Sequence, residues 1–410
     1  MKEKNNILVV TPIYPGLDVP TGFTPIVHYF TKEWIKMGYN VRVIFLPSSF
    51  PRIYYSFTKP FRRLIETICG FTISQEPPKQ TEFIWDKVPV YRIPMYKCRP
   101  HGRFSQKTVT TTIARIKEYL DNNSFSPNII VGHWENPTAE ILLQLKKTYH
   151  VPCSLVLHSD GSSLSQLYGE ETKEVISSMD LLGFRSISNK EKFEKRFGHL
   201  ENSFLCYSGI PKNLLETFPV NRSFSSIHSF AFVGNLIRRK YPYETLKAVL
   251  QSNIKDFTFD FIGSGNESKK IERLLEKRPE LRQGVKLYGR IPREKVAEKL
   301  RESDVFIMIS KSEAFGLVYL EAMAKGCITI ASKDEGFDGI IKHGENGFLC
   351  EAGNINELTK LINFIALLPS KTLQKISQNA IETAHQMTDE DVAKDYIMNL
   401  GKTNAIKCGF

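Results

Sequence analysis

The chain has 410 residues, of which 41% are hydrophobic and 24% charged. That balance excludes a disordered or fibrous protein, and at roughly 100 to 200 residues per domain it predicts two domains, each large enough to bury its own core. The formal net charge of +11 calls for anionic partners, of which nucleic acid, anionic lipid and phosphorylated small molecules are the classes to separate.

In chain order, the apolar run 7–10 reads as a strand, 25–37 has helical period, and 41–45 reads as a second strand. A basic stretch follows. Between positions 51 and 105, ten basic residues (Arg52, Lys59, Arg62, Arg63, Lys79, Lys87, Arg92, Lys97, Arg99, Arg103) face four acids (Glu66, Glu76, Glu82, Asp86), so six of the eleven excess charges lie there. Its first part, 51–71, mixes arginines with Ile53, Tyr54, Tyr55, Phe57, Phe61 and Ile68. It reads either as a segment lying on an anionic membrane surface or as an ordinary packed helix with a solvated face. Strand-like 129–131, helical 138–149 and strand-like 153–157 and 181–184 come next.

Apolar runs then restart at 230–234 and continue through 257–262, 285–288, 305–309 and 328–330, each separated by a helix-like stretch. Such alternation is the pattern of β-α-β units and hence of parallel sheets covered on both faces. Turn residues at 208–226 mark the boundary. The expected domains are therefore 1–208 and 209–385. A closing helix, 386–410, is expected to cross back to the first domain. Open α/β sheets bind ligands beyond the carboxyl ends of their strands, so two such domains are expected to face an interdomain cleft.

No run of about 18 apolar residues is present to span a bilayer, and 1–6 is polar, so no signal peptide is expected and a cytoplasmic location fits. Seven cysteines without a C-x-x-C pair argue against a disulfide framework or a thiolate zinc site.

The strongest motif is S-E-A-F-G-L-V-Y-L-E-A-M-A-K-G at 312–326. It begins where the strand 305–309 ends, and helical period resumes from Gly316. Backbone N–H groups of Ala314, Phe315, Gly316 and Leu317 then sit at a helix N-terminus, where unpaired donors and the helix dipole favour a phosphate. Glu321, more than a turn into that helix, is a natural acceptor for a ribose diol.

With Glu313 and Glu321 in this setting, the stretch resembles the E-x7-E motif of retaining glycosyltransferases of family 4, which have the GT-B fold of two doubly wound Rossmann-like domains. The resemblance implies that Glu321 holds the donor ribose, Glu313 contacts donor-sugar hydroxyls, and the loop behind Glu313 binds phosphate. The run V-G-N-L-I-R-R-K at 233–240 is similar to the family's V-G-R-L-x-x-x-K stretch, which implies donor contacts at Gly234 and Asn235 and makes Lys240 a diphosphate ligand. Asn235 stands where arginine is usual. Arg238 and Arg239 then have two readings, a second cation supplied from a shifted position or a solvated helix-start charge. Gly263 in G-S-G resembles the family's G-x-G turn, and Arg290 and Ile291 in G-R-I-P resemble its loop near the nucleotide base. Residues 336–349 are similar to its closing N-G-F-L strand.

In the first domain, 11–23 resembles the family's first loop, of whose glycine pair only Gly22 is retained. His158 matches its histidine beside the donor sugar, and His133 is a second candidate. Arg185 and Ser186 follow a strand and have two readings, reaching the cleft or, for Ser186 or Ser188, a capping role.

The resemblance thus implies a cytoplasmic, retaining, metal-independent transferase with no cofactor. It would move sugar from a nucleotide sugar, by default a UDP-sugar, to a saccharide or lipid-linked saccharide in surface-polysaccharide assembly, and it would be peripheral on the membrane if 51–71 lies there. No Asp-x-Asp follows an apolar strand, so no metal site is indicated. The alternative is a sugar-nucleotide-binding scaffold in which transfer is impaired. Nucleic acid is not expected, because no recognition motif accompanies the charge.

Overall fold

The computed structural model describes residues 5–16, 25–56, 76–99, 102–216, 222–404 and 406. Gly22 and positions 57–71 of the basic aromatic stretch lie outside these residues.

The chain falls into two compact units. Met1–Arg185, Lys192–Cys206 and Val392–Phe410 make one, and Ser186–Glu191 with Tyr207–Asp391 make the other. Residues 386–391 thus go with the second unit.

The first unit holds strands β1 (Asn6–Thr11), β2 (Asn40–Phe45), β3 (Ser48–Ser49), β4 (Thr81–Trp85), β5 (Val88–Arg92), β6 (Met95–Tyr96), β7 (Ile129–His133), β8 (Cys153–Leu157), β9 (Leu181–Phe184) and β10 (Ser203–Leu205). Eight of them form a sheet ordered β10-β9-β8-β7-β1-β2-β5-β4. Only β4 is antiparallel, paired in a hairpin with β5. The inner strands β1, β7 and β8 are buried at nearly every position, as expected of a parallel sheet covered on both faces. The helix Asp389–Gly401 supplies Val392, Ala393, Tyr396, Ile397 and Leu400 to the buried residues. The Trp34 indole N–H donates to the Ala393 carbonyl at 3.0 Å.

The second unit holds β11 (Ser229–Val233), β12 (Thr258–Ile262), β13 (Val285–Gly289), β14 (Val305–Ile307), β15 (Ile328–Ser332) and β16 (Phe348–Cys350). They form one parallel sheet ordered β13-β12-β11-β14-β15-β16. Each unit has its own apolar core. Among the described residues no helix is long and apolar enough to cross a membrane.

The described part of the basic stretch is neither one helix nor one open patch. Residues 52–54 form a single 3-10 turn with Ile53 exposed, and 81–92 is the β4–β5 hairpin. Its charges are used separately. Arg92 is buried and donates to the Lys79 carbonyl at 2.8 Å, Lys97 lies over the Phe104 ring at 4.8 Å, and Arg103 bridges Glu140 and Glu171.

Candidate active site

In the second unit the chain runs outward in one direction from β11 and in the other from β14, so the loops leaving these neighbouring strands flank the topological switch point, where open α/β sheets take their ligands. The loop after β11 starts at Gly234, whose φ of +147° suits glycine. It is held backbone to backbone against the loop after β12. Gly234 N–H donates to the Ile262 carbonyl at 2.8 Å and Leu236 N–H to the Ser264 carbonyl at 3.0 Å. A Cβ on Gly263, at φ +137°, would stand 1.9 Å from the Gly234 carbonyl oxygen. Arg238–Lys240 then form a 3-10 turn, and Pro242 opens the next helix.

The loop after β14 runs from Met308 to Gly316, with Ser312 at φ +55° and Gly316 at φ +84°, and the helix Leu317–Ala324 begins behind it. Tyr319 braces this loop from beneath. Its buried hydroxyl donates to the Met308 carbonyl at 2.5 Å and lies 3.1 Å from Ser310 Oγ. The two loops meet where Lys311 N–H donates to the Arg239 carbonyl at 2.7 Å. Glu313 Oε2 sits 3.2 Å from Lys240 Nζ and 3.4 Å from Arg239 Nη1, and it accepts from Ser310 Oγ at 3.4 Å. Lys240 and Glu313 are largely shielded, at 12% and 13% side-chain exposure, so their attraction is weakly screened. Among the described residues the backbone N–H groups of Ala314, Gly316 and Leu317 find no backbone acceptor. They are open donors at the positive end of a helix.

Glu321 lies on the same helix and is one-seventh exposed. Arg293, the first residue of the helix Arg293–Glu302, grips one of its oxygens, donating to Oε1 from Nε at 2.9 Å and from Nη2 at 2.5 Å. Arg290 donates to Ser264 Oγ at 3.1 Å and to Asn235 Oδ1 at 3.4 Å. Its guanidinium therefore stands beside Asn235. Arg238 is exposed and has no ion pair among the described residues, whereas Arg239 is engaged with Glu313. Ile291 is half-buried beside Arg290.

In the first unit His158 follows β8. It stacks on Trp134 with ring centres 3.9 Å apart and planes 13° from parallel, and its Nε2 lies 3.2 Å from His133 Nδ1. His133 is fully buried, with Nε2 3.4 Å from the Tyr396 hydroxyl. It therefore supports His158 from behind and presents no surface of its own to a ligand. Arg185 is also buried, donating to the Cys206 carbonyl. Ser186 Oγ accepts from Asn189 N–H at 3.2 Å, the capping reading of that pair.

Burial, joined by the nearby Arg185 charge, holds both imidazoles well below the ordinary histidine range. They are neutral at pH 7. For His133 the unfolded chain takes up a proton near pH 6.5 and the folded chain does not, so stability is complete above that pH and falls on acidification. The expected loss is about 1.4 kcal/mol per pH unit below 6.5. Urea melts at pH 7 and pH 5 check this, and His133→Phe should flatten the slope.

A family model described as glycosyl transferases group 1 matches residues 217–383, which contain Lys240, Glu313 and Glu321. The poly(glycerol-phosphate) alpha-glucosyltransferase of Bacillus subtilis is 25% identical over 294 residues, spanning 70% of this chain and 42% of that protein. This chain is similar to the group 1 glycosyltransferases over residues 217–383. It thus spans under half the length of that relative. Sucrose-phosphate synthase from Thermosynechococcus elongatus superposes with a TM-score of 0.72 at 19% identity, covering 98% of this chain and 100% of that one. HepE from Anabaena, solved in complex with UDP and glucose, gives 0.65 at 17% identity, covering 97% and 100%. The fold is thus the two-domain α/β architecture of GT-B glycosyltransferases.

Three residues around these sites escaped sequence reasoning. Arg293 and Glu335 act on Glu321 and Glu313 across 28 and 22 positions, and no local spacing announces either. Trp134 does carry a signal, being adjacent to His133 at the end of a strand.

Proposed function

We propose that the protein transfers a sugar, with retention and without a metal ion, from a UDP-sugar to a saccharide or lipid-linked saccharide acceptor in the assembly of a surface polysaccharide or glycoconjugate. The observation that carries this reading is the junction at the switch point, where Lys240 and Arg239 on one loop are locked to Glu313 on the other, beside the open N–H groups that precede Leu317. The donor diphosphate would take these N–H groups and cations, so the negative charge that builds on the leaving group meets donors already in place. Glu321, oriented by Arg293, would accept both ribose hydroxyls, and Glu313 would accept from the sugar.

Retention requires no enzymic nucleophile on this reading. The C1–O bond to the diphosphate breaks, the acceptor oxygen adds to the same face, and its proton passes to the departing diphosphate oxygen. His158, held neutral, would lie against the donor sugar without opposing the positive charge that develops at C1. UDP is taken from HepE, whose structure holds UDP and glucose.

The impaired-scaffold alternative rests on Asn235. Arg290 donates to the Asn235 side chain at 3.4 Å, and a cation beside Asn235 supports the transfer reading. A panel of nucleotide sugars tests the reading. One of them, at about 100 times its Kd, should stabilise the protein by about 2.7 kcal/mol and raise its Tm. The shift should vanish in Glu321→Ala while the unliganded melt stays cooperative. A panel without effect, or an undiminished shift in the variant, would sink the donor site.

A further inference from the structure

Glu335, at the end of the turn that follows β15, has a place in no step described so far. Its Oε2 accepts from the Glu313 N–H at 2.9 Å. The chain is pressed tightly there, because a Cβ on Gly336 would stand 2.5 Å from the Glu313 carbonyl oxygen and 2.6 Å from the Phe315 nitrogen. The turn that carries Glu335 is therefore fixed against the 312–316 loop, and its carboxylate is seated at the residue that bears the other carboxylate.

Both acids are anchored through one oxygen. Glu313 uses Oε2 for Lys240, Arg239 and Ser310, and Glu335 uses Oε2 for the Glu313 amide. Among the described residues neither Oε1 has a hydrogen-bond partner, and neither is a buried unsatisfied atom. Each acid thus keeps one acceptor oxygen uncommitted on a carboxyl group that its other oxygen anchors. Tyr319 beneath them registers both charges. Its hydroxyl is pushed far above the ordinary phenol range, first by burial and then by Glu313, with Glu335 adding to it.

We propose that this carboxylate pair selects an uncharged transferred sugar, with Glu313 and Glu335 accepting hydrogen bonds from its hydroxyls and repelling a sugar that carries its own carboxylate. The proposal rests on the donor reading above. Before the donor arrives, Lys240 and Arg239 pair with Glu313, and Glu335 adds a second negative charge beside it. The diphosphate draws on the same two cations and adds negative charge, so a hexuronate would bring a further anion against two carboxylates. Hydroxyl groups meet the opposite situation. They supply the donors that the two open oxygens lack, and a like charge at close range in a shielded site is a strong means of rejection.

The test is calorimetric Kd measurement with matched UDP-sugars, glucose against glucuronate and galactose against galacturonate. The tighter neutral donor should bind on the order of tenfold or more better than its uronate in the wild-type protein. Glu335→Gln keeps the size and an acceptor oxygen for the Glu313 amide, and it should shrink that ratio on the order of tenfold. Glu335→Asp should retain the selectivity. A uronate that binds as well as its neutral partner, or a ratio unmoved in Glu335→Gln, overturns the proposal. If no nucleotide sugar binds, or Glu321→Ala binds unchanged, the donor reading itself has failed and the selection falls with it.

Discussion

Lys240→Ala is expected to lower kcat/KM for sugar transfer by about 10²- to 10³-fold in a protein that remains folded. The ammonium is shielded, sits 3.2 Å from Glu313 Oε2, and lies close to Gly234, on which a Cβ would stand 3.4 Å from Nζ. A glycine there leaves a passage beside the charge. A donor phosphate entering it meets a cation that a carboxylate already holds in place, and loss of one such fixed electrostatic partner typically costs about that factor. The variant also leaves Glu313 with Arg239 alone, so some loss of stability is expected, of the kind seen when one partner of a shielded ion pair is removed. Circular dichroism and a thermal melt separate the two effects. Lys240→Arg should recover only part of the rate, because a planar guanidinium does not reproduce a compact ammonium. Full activity in purified Lys240→Ala would remove the diphosphate assignment.

Gly263→Ala should be the most damaging single-methyl change in the second unit. The new Cβ would stand 1.9 Å from the Gly234 carbonyl oxygen, which is backbone and has no rotamer by which to retreat, and φ at this position is +137°. Steric displacement and backbone strain add, and the expected destabilisation is about 3 kcal/mol or more. In a domain of this size that lowers Tm by about 6 to 12 °C. The loop it displaces is the one that carries Lys240, so donor affinity should fall even where the protein still folds. A scanning melt and a donor titration measure the two consequences. Gly265→Ala, with its Cβ 2.1 Å from the Leu236 carbonyl oxygen, should behave alike. A melt unchanged within a degree in both variants would show that the two loops are not packed as described.

Much of this was legible before any coordinates. Two series of apolar runs gave β1 and β2, β7 to β9, and β11 to β15 to within a residue or two, because parallel strands buried on both faces leave short uniform runs that helices separate. The start of the helix at Leu317 and the place of Glu321 within it followed from the same reasoning. The β4–β5 hairpin did not. Its strand β4 is exposed or half-buried at every position, so it lacks the apolar run that betrays an inner strand, and its charges drew the eye toward a surface. Arg293 and Glu335 were invisible for a different reason. Each reaches its glutamate from a separate β-α unit, and the register that brings them together belongs to the packed sheet. The neutrality of His158 was equally hidden, since it depends on burial and on Arg185, 27 positions away.

The Trp34 hydrogen bond to Ala393 joins residues 359 positions apart, and the rings of Phe30, Trp34 and His133 pack on Tyr396 of the same closing helix. During synthesis the ribosome releases the sheet of the first unit long before the residue that covers this aromatic cluster. Until the helix Asp389–Gly401 emerges, three large rings wait without their cap, so the first unit is completed only after the second has been made.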